Sequence, residues 1–464
     1  MGLLERMEQK KAEENSADDM GVGGSSDGGA SAMMGMSANS NSGSNEDKAD
    51  PYEAVKRRIH MRVIETLNKQ NVSVVDKNEM QALLDETVND DEFNIPRPER
   101  RRIALELYND IMGYGPLEEL LMNDSFSEVM VNGPKQIYVE SKGKLILTDV
   151  KFRDDEHLMN IIDRIVSQIG RHIDEASPMV DARLPDGSRV NAIIPPISLV
   201  GPVLTIRKFG KTPVTAAQLV QWGSITPRML SFLEACVKGK LNIVVSGGTG
   251  SGKTTLLNVL SSYIPEDERI VTIEDAAEVQ LKQDHVVTLE TRPANLEGKG
   301  AITIRSLVKN ALRMRPDRII VGEVRSDETL DMLQAMNTGH DGSLTTTHAN
   351  SPRDTMSRIE TMVMMSGMEL PVKAIRDQAS SAIDLIVQQS RLRDGSRKVT
   401  QITEVTGMEG DVVSLQDIFV YETEGAVDTN GKFKGSFKAT GILPKCVDKI
   451  RGNGVLINNE WFTN

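Results

Sequence analysis

The sequence has little of several features that mark common classes of protein. Its 464 residues include two cysteines, Cys236 and Cys446, whose positions fit no zinc-ligand spacing. We interpret both as buried or idle thiols in a reducing compartment. No apolar run approaches the roughly 20 residues that a membrane-spanning helix needs, and the charged N-terminus lacks the hydrophobic region of a secretory signal. We therefore expect a cytoplasmic protein without a membrane span, which reaches a membrane only through partners.

Aromatic side chains and net positive charge are also scarce. Aromatic residues make up 4% of the chain, so a packed core must rest mainly on Val, Ile, Leu and Met. The net charge of -13 argues against broad nucleic-acid binding, because such binding needs clusters of Lys and Arg. This balance leaves room for a local basic groove, but we expect no nucleic-acid partner.

The chain has the length of two or three domains, and its composition and periodicity divide it into five parts. The first part is rich in Ser, Gly, Asn, Met and Asp, which bury too little apolar surface to offset the entropy of ordering. The parts are a disordered tail (1–51), a small helical bundle (52–121), an α+β domain (122–210), a linker (211–224) and a larger α/β domain (225–464).

Local signals place elements in the middle parts. Asp76 and Glu79 fit a capping box at the start of a helix, and Pro98 opens a further helix. We expect that helix to turn four apolar side chains inward, namely Ile103, Leu105, Leu107 and Ile111. Asp186-Gly187 predicts a hairpin turn, and a helix is predicted around 155–169. Strands are predicted at Glu128–Val131, Gln136–Glu140, Leu145–Val150, Val190–Ile194 and Val203–Lys208.

Short apolar runs alternate with helical stretches in the last part. This alternation predicts a largely parallel sheet covered on both faces. The runs are Ile243–Ser246, Ile270–Glu274, Ile319–Val321, Leu344–Thr347 and Leu385–Val387.

One glycine-rich segment fits a complete phosphate-binding pattern. Residues 247–254 match G-x-x-x-x-G-K-[ST], with an apolar strand before them and an apolar helix after them. This order aims backbone N–H groups and a helix dipole at one point, where Lys253 would reach phosphates and Thr254 would bind Mg²⁺. The alternative is a glycine-rich turn without a ligand. The predicted ATP-binding residues are Gly247, Gly248, Thr249, Gly250, Ser251, Gly252, Lys253, Thr254 and Thr255.

Two of the predicted strands end in acids. The strand at 270–273 runs into Glu274-Asp275, and the strand at 319–321 runs into Gly322-Glu323. Ligands sit at the carboxyl ends of parallel strands, where a nucleoside triphosphatase needs acids to hold Mg²⁺ and orient water. We assign Glu323 to support of the metal together with Thr254, and Glu274 to positioning of water. Each acid alone would equally suit a helix cap or a loop.

Histidines and arginines supply further candidates. His340 and His348 flank one predicted strand and are candidate sensors of the γ-phosphate; surface or core histidines are the alternative. A phosphoryl-transfer site often takes an arginine from another domain. The candidates in the α+β domain are Arg183, Arg189 and Arg207, and a solvated strand face is the alternative for them. Arg305, Arg313, Arg315 and Arg325 are unranked candidates beside the predicted site.

Four segments together resemble the Walker A, Asp box, Walker B and His box of the secretion ATPase superfamily, which drives type II and type IV secretion and type IV pilus assembly. They are GGTGSGKTT (247–255), RIVTIEDAAE (269–278), RPDRIIVGEVRSDE (315–328) and GHDGSLTTTHANSP (339–352). Three further segments resemble the tight-adherence (Flp-type) pilus assembly ATPases: GYGPLEELLMND (113–124), ARLPDGSRVNAIIPP (182–196) and GPVLTIRKF (201–209). The resemblance covers about residues 100–460.

The resemblance implies an α/β fold, with a RecA-like P-loop ATPase domain hinged to the α+β N-terminal domain and ATP bound between them. It implies a homohexamer at the cytoplasmic face of the inner membrane, with an inner-membrane platform protein as partner and pilin as an indirect one. On this pattern Glu274 activates water, Glu323 supports Mg²⁺, His348 and His340 match the His box, and Arg189 and Arg207 are the arginines of the N-terminal domain. Whether Glu274 or Asp275 does the chemistry stays open. No zinc motif of the kind found in some relatives is visible.

The sequence therefore predicts an ATPase motor for pilus assembly or secretion. The direction of the motor, extension or retraction, stays open. Two other classes are alternatives. One is a RecA-like motor on nucleic acid, which a basic stripe with aromatics would indicate. The other is a nucleotide-gated scaffold that binds ATP and hardly hydrolyses it.

Overall fold

The structure, a computed structural model, describes residues 50–69, 76–141, 143–210, 213–294, 299–427 and 433–463. The predicted disordered tail thus lies outside the described residues, apart from its last two positions. The chain divides into two compact units, residues 1–61 and 62–464, and the first is described only from residue 50. Within the described ranges, every helix is too short or too polar to cross a bilayer.

The described residues before the first strand are helical. Asp76 caps the second helix, and its side chain and that of Glu79 complete the predicted capping box. The third helix buries Ile103 and Leu107, but Leu105 is 55% exposed, so its predicted inward position is wrong. Leu105 lies two residues, or about 200°, from each of these neighbours around the helix. The helices are α1 (Glu53–Lys69), α2 (Lys77–Asn89), α3 (Arg97–Met112) and α4 (Leu117–Met122).

A six-stranded sheet follows, with strand order β3-β2-β1-β6-β5-β4 and antiparallel pairing throughout. Helix α5 (Asp155–Ser167) buries an apolar stripe in the same core as this sheet. The predicted turn at Asp186-Gly187 joins two strands, of which the first was not predicted. The strands are β1 (Phe126–Asn132), β2 (Ile137–Ser141), β3 (Lys144–Leu147), β4 (Met179–Arg183), β5 (Arg189–Ile193) and β6 (Val203–Arg207).

A nine-stranded sheet forms the rest, with order β15-β14-β13-β12-β7-β11-β10-β8-β9. The strands from β12 to β9 in this order are mutually parallel, as predicted, and antiparallel β13, β14 and β15 extend the sheet beyond β12. The parallel strands are β7 (Ile243–Gly247), β8 (Ile270–Glu274), β9 (Val286–Glu290), β10 (Arg318–Val321), β11 (Leu344–Thr347) and β12 (Leu385–Arg391). Strand β9 was not predicted.

Helices cover both faces of this sheet. Alternate side chains of its strands therefore pack in two separate apolar clusters. Ile243 and Val245 of β7 pack in one apolar cluster and Val244 packs in the other. The covering helices are α7 (Pro227–Lys238), α8 (Lys253–Ser261), α9 (Ile304–Ala311), α10 (Glu328–Asn337), α11 (Pro352–Met364) and α12 (Val372–Ala382).

The predicted linker contains regular structure, and the residues after 410 form the strands and the short helix near the end that their pattern predicts. Inside the predicted linker, α6 (Ala216–Gln221) buries Leu219 in the first of these clusters. After residue 390 the chain forms long strands. Phe419 of these strands and Phe462 near the C-terminal end both pack against Phe232 of α7. These elements are β13 (Arg397–Glu409), β14 (Val412–Val427), β15 (Phe433–Ala439), α13 (Cys446–Gly452) and a 3-10 turn at Asn459–Phe462.

Candidate active site

The phosphate-binding pattern forms a strand–loop–helix turn, as predicted. Strand β7 is buried along its whole length and ends at Gly247, and α8 begins at Lys253. Gly252 caps the helix with a φ of +98°, and a Cβ there would lie 3.2 Å from Gln389 and Arg397. Only glycine fits both the left-handed backbone and this close approach. The turn therefore presents backbone N–H groups and the positive end of α8 at one place.

Lys253 crosses the mouth of this loop. Its ammonium donates to the carbonyl oxygen of Gly248 at 3.1 Å and lies 3.3 Å from Nδ1 of His348. Burial lowers the pKa of Lys253, and the nearby Glu323 carboxylate opposes that effect. The Lys253 ammonium contacts only uncharged partners here, the Gly248 carbonyl and the His348 ring, and phosphate oxygens would bind it more strongly than either.

A cavity of about 770 Å³ opens over the loop and is walled by both sheets. The wall on the side of the nine-stranded sheet comes from the loop, the carboxyl ends of β8, β10 and β11, and the β12–β13 hairpin. The other wall comes from the six-stranded sheet and the chain that leaves it. Among the predicted site residues, the lining includes Arg189, Arg207, Thr249, Gly250, Gly252, Lys253, Thr254, Thr255, Glu274, Glu323 and His348.

Glu274 ends β8 as a nearly buried acid. Its oxygens accept hydrogen bonds from the backbone N–H groups of Glu278 and Val279, at 2.8 and 3.1 Å. Burial raises the pKa of Glu274 to about 7, although those two hydrogen bonds oppose the shift. Gly322 on the neighbouring strand makes room for it, since a Cβ there would lie 2.7 Å from Cγ of Glu274. A carboxyl group with this pKa can take a proton near neutral pH.

Glu323 follows β10, and its carboxylate lies between the side chains of Arg325 and His348. Arg325 donates to Oε2 at 2.6 Å, and Nε2 of His348 lies 2.8 Å from Oε1. The ring does not align for a hydrogen bond, so Oε1 is a buried acceptor without one among the described residues. Burial lowers the pKa of His348, so its ring is neutral at pH 7. The hydrogen bond to Glu323 raises the pKa of Arg325.

This carboxylate oxygen fits the needs of a magnesium ion. Mg²⁺ on nucleotides is usually held by one or two protein oxygens, water and the substrate's phosphates, not by a complete protein cage. Thr254 and Glu323 line the same cavity.

Arg189 and Arg207 face the cavity from neighbouring strands. They are cross-strand partners on β5 and β6, and Arg207 also lies opposite Glu128 of β1. Arg207 binds Glu128 at 2.7 Å, which raises the pKa of Arg207. Arg189 instead reaches the loop after β8, where it binds the Glu278 carboxylate at 2.9 Å and the Ala276 carbonyl at 2.7 Å. Arg189 thus holds the loop whose N–H groups hold Glu274.

Several candidates are not brought into the cavity. Gly247, Gly248 and Ser251 lie beneath its lining. His340 precedes β11 while His348 follows it, so a four-residue strand of roughly 13 Å separates the two histidines. The arginines outside are Arg183, which binds Glu290, Arg305, which binds Asp327 and Asp331, and the exposed Arg313 and Arg315. Of the four unranked arginines, Arg325 alone lines the cavity.

Sequence reasoning missed the residues that the β12–β13 hairpin contributes. Nε of Arg397 donates to the carbonyl oxygen of Gly250 at 2.9 Å, and Arg391 lines the cavity beside it. The available signal was the segment RLRDGSRK at 391–398, in which a turn-forming Asp-Gly pair sits among basic residues. Its distance from the loop in sequence gave no reason to place it there.

A parallel sheet with this loop on β7, and with acids at the ends of β8 and β10, defines a P-loop nucleoside triphosphatase. The sequence also matches the family described as Type II/IV secretion system protein over residues 110–447. That match covers more than half of the chain, so the chain belongs to this family and is an ATPase of the secretion type.

Individual relatives have related descriptions. "Putative conjugal transfer protein Rv3659c" of Mycobacterium tuberculosis (strain ATCC 25618 / H37Rv) is 36% identical over 315 residues, which cover 67% of this chain and 89% of that protein. The type IV secretion system protein VirB11 of Brucella abortus (strain 2308) is 32% identical over 318 residues, covering 62% and 87%. The crystal structure of the VirB11 ATPase of Brucella suis with sulphate is 30% identical, covers 62% and 94%, and superposes with a TM-score of 0.35.

Proposed function

We propose that this chain is an ATP-hydrolysing motor that works as a homohexamer and powers assembly of a tight-adherence type IV pilus, or protein secretion, from the cytoplasmic face of the inner membrane. The observation that carries the proposal is the cavity walled by both sheets. A ligand bound there touches the phosphate-binding loop on one side and the Arg189–Arg207 pair on the other. Binding and release of nucleotide would therefore change the contact between the two domains.

The proposed chemistry assigns a task to each side chain. The loop from Gly247 to Thr255 and Lys253 would hold the triphosphate, and Glu274 would orient water and accept its proton. Mg²⁺, held by Thr254 and Glu323, would neutralise charge on the phosphates. Arg207 would leave Glu128 to face the γ-phosphate, while Arg189 keeps the loop after β8 in place for Glu274.

Support for the machine that this motor serves comes from sequence. The segments at 113–124, 182–196 and 201–209 resemble tight-adherence pilus ATPases. The proposal is also supported by relatives that are described as a putative conjugal transfer protein and a type IV secretion system protein. The expected partners are further copies of this chain, an inner-membrane platform protein and, through that protein, a pilin.

The test uses the full chain. We expect purified protein with magnesium to release phosphate from ATP, and sedimentation with a slowly hydrolysed ATP analogue to show a six-subunit species. In a strain that lacks the gene, the wild-type chain should restore pili and the Lys253→Ala chain should not. Absence of both nucleotide uptake and phosphate release, even with the membrane components present, would refute the motor. Strong stimulation by DNA at physiological salt would favour the nucleic-acid motor instead.

A further inference from the structure

A second cavity, of about 550 Å³, adjoins the first. The two share Ser127, Glu140, Arg391 and Arg397. The second cavity adds residues that the first does not have. They come from the β2–β3 turn of the six-stranded sheet (Gly143, Lys144) and from the β12–β13 turn of the motor domain (Arg393, Asp394, Gly395). It therefore lies between two hairpins that belong to different domains.

Positive charge dominates this cavity. Lys144, Arg391, Arg393 and Arg397 line it, against the carboxylates of Glu140 and Asp394. The Asp394 carboxylate is already occupied, since it accepts hydrogen bonds from the backbone N–H and hydroxyl of Ser396 and from the N–H of Phe433. Arg397 is occupied as well, through its bond to the Gly250 carbonyl.

The other three cations are not neutralised. Across the ranges that the structure describes, the side chains of Lys144, Arg391 and Arg393 form no hydrogen bond and no ion pair. Arg391 nevertheless has a defined place. A Cβ on Gly143 would lie 3.0 Å from one of its guanidinium nitrogens, and a Cβ on Gly250 would lie 3.6 Å from the other. Its charge thus stands between the turn of the N-terminal domain and the phosphate-binding loop.

The lining also limits the kind of ligand. It contains charged, small and hydroxyl side chains, with no aromatic or branched aliphatic side chain among the described residues that form it. Such a wall offers nothing for a base or an acyl chain to pack against, whereas guanidinium groups match phosphate oxygens in paired hydrogen bonds. We propose that the second cavity binds a compact phosphate anion through Lys144, Arg391 and Arg393.

An anion there would join the two domains. It would neutralise Lys144 from one hairpin together with Arg391 and Arg393 from the other, and so stabilise the contact that the nucleotide cavity also spans. The anion has two possible sources: phosphate released by hydrolysis next door, or free phosphate from solution. The inference rests on the proposed ATPase only for the first of these.

The experiment titrates inorganic pyrophosphate into the full chain carrying Lys253→Ala, which disables the phosphate-binding loop. Calorimetry at about 0.15 M salt, where surface attraction is screened, should show saturable binding. Adding Lys144→Gln and Arg393→Gln should weaken it at least about tenfold, because each lost charge-assisted contact contributes strongly. Arg313→Gln with Arg353→Gln removes two exposed arginines outside both cavities; this charge-matched control should leave binding unchanged. No saturable binding, or equal binding after the double substitution, would overturn the proposal.

A second measurement separates the two sources and guards against misfolding. Lys144→Gln/Arg393→Gln in the otherwise wild-type chain should bind an ATP analogue normally, which shows an intact fold. Faster phosphate release in a single turnover would identify product phosphate as the ligand, and unchanged release would identify phosphate from solution. If the chain binds pyrophosphate but never hydrolyses ATP, the proposed motor function is refuted and the proposed anion site is still supported.

Discussion

The two ends of the parallel strands carry similar charged side chains in different situations. At the amino ends, Arg318 is completely buried and binds the Glu268 carboxylate and the Gly342 carbonyl. Lys449 lies between Asp341 and Asp384, at 3.0 and 2.9 Å. At the carboxyl ends, Lys253 rests on a carbonyl and a neutral ring, and burial raises the pKa of Glu274 to about 7.

This difference separates structural charges from charges available for chemistry. When one residue of a buried ion pair is removed, the other is left as an unpaired buried charge. The free energy of unfolding then typically falls by about 3–5 kcal/mol. Groups whose pKa is displaced by burial, at the edge of a cavity, are candidates for catalysis. The predictions below on lysines, glutamates and histidines therefore compare one residue at the carboxyl ends with a residue of the same type at the amino ends.

The lysines should show the largest contrast. Lys253→Ala removes the ammonium that lies across the mouth of the phosphate-binding loop, so ATP-analogue affinity should fall at least about 100-fold. Lys449→Ala leaves Asp341 and Asp384 without their shared cation and should lower the melting temperature, with unchanged affinity in the folded protein. Titration calorimetry and thermal melts measure both. Equal losses of affinity would contradict the assignment of the loop.

The glutamates at the two ends of β8 come next. Glu274→Gln should keep nucleotide binding and lower kcat roughly 10³-fold, because the amide cannot accept the proton of water. For the wild-type chain, kcat/KM should fall as the pH drops below about 7, where Glu274 becomes protonated. Glu268→Gln should keep kcat and destabilise the fold, since it removes the partner of buried Arg318. A normal kcat for Glu274→Gln would remove Glu274 as the base.

The same acid makes stability depend on pH. Glu274 has a pKa raised from 4.5 to about 7 in the folded chain. Between these values the folded chain keeps a proton that the unfolded chain has lost, so stability falls as the pH rises. The full penalty, on the order of 3 kcal/mol, is reached above pH 7. Glu274→Gln should therefore melt higher than wild type at pH 8 and similarly at pH 5; a constant difference would contradict the raised pKa.

The elements around the loop could be predicted because their signals are local. Each signal is contained within a few residues: the apolar run of β7 with the glycine spacing at 247–252, the acid that ends β8, and the acid that follows β10. The place of Arg391 and Arg397 depends on sheet order, which brings β12 next to β7 from more than 130 residues away. Such a pairing is set by tertiary packing, and no local pattern records it.

Some errors have a similar cause. The strands β9 and β13 carry many polar residues, so their apolar runs are weak, although neighbouring strands satisfy their backbone groups. The two histidines were treated alike because both flank the same apolar run. The structure distinguishes them by strand direction, since ligands gather at the carboxyl end of β11.

These histidines give the smallest and most discriminating comparison. His348 lies between Lys253 and Glu323: its neutral ring contacts the Lys253 ammonium, lies 2.8 Å from the Glu323 carboxylate and adds no charge. His348→Ala should lower kcat about 10- to 100-fold with a smaller change in KM, as expected for a positioning residue whose partners lose their geometry. His348→Gln, which keeps a polar group at this place, should recover part of the loss. His340→Ala should leave steady-state kinetics unchanged, because His340 lies at the other end of β11. If the two alanine variants lose kcat equally, strand direction does not separate the roles of the two histidines, and the contrast between the ends of the sheet would not extend to them.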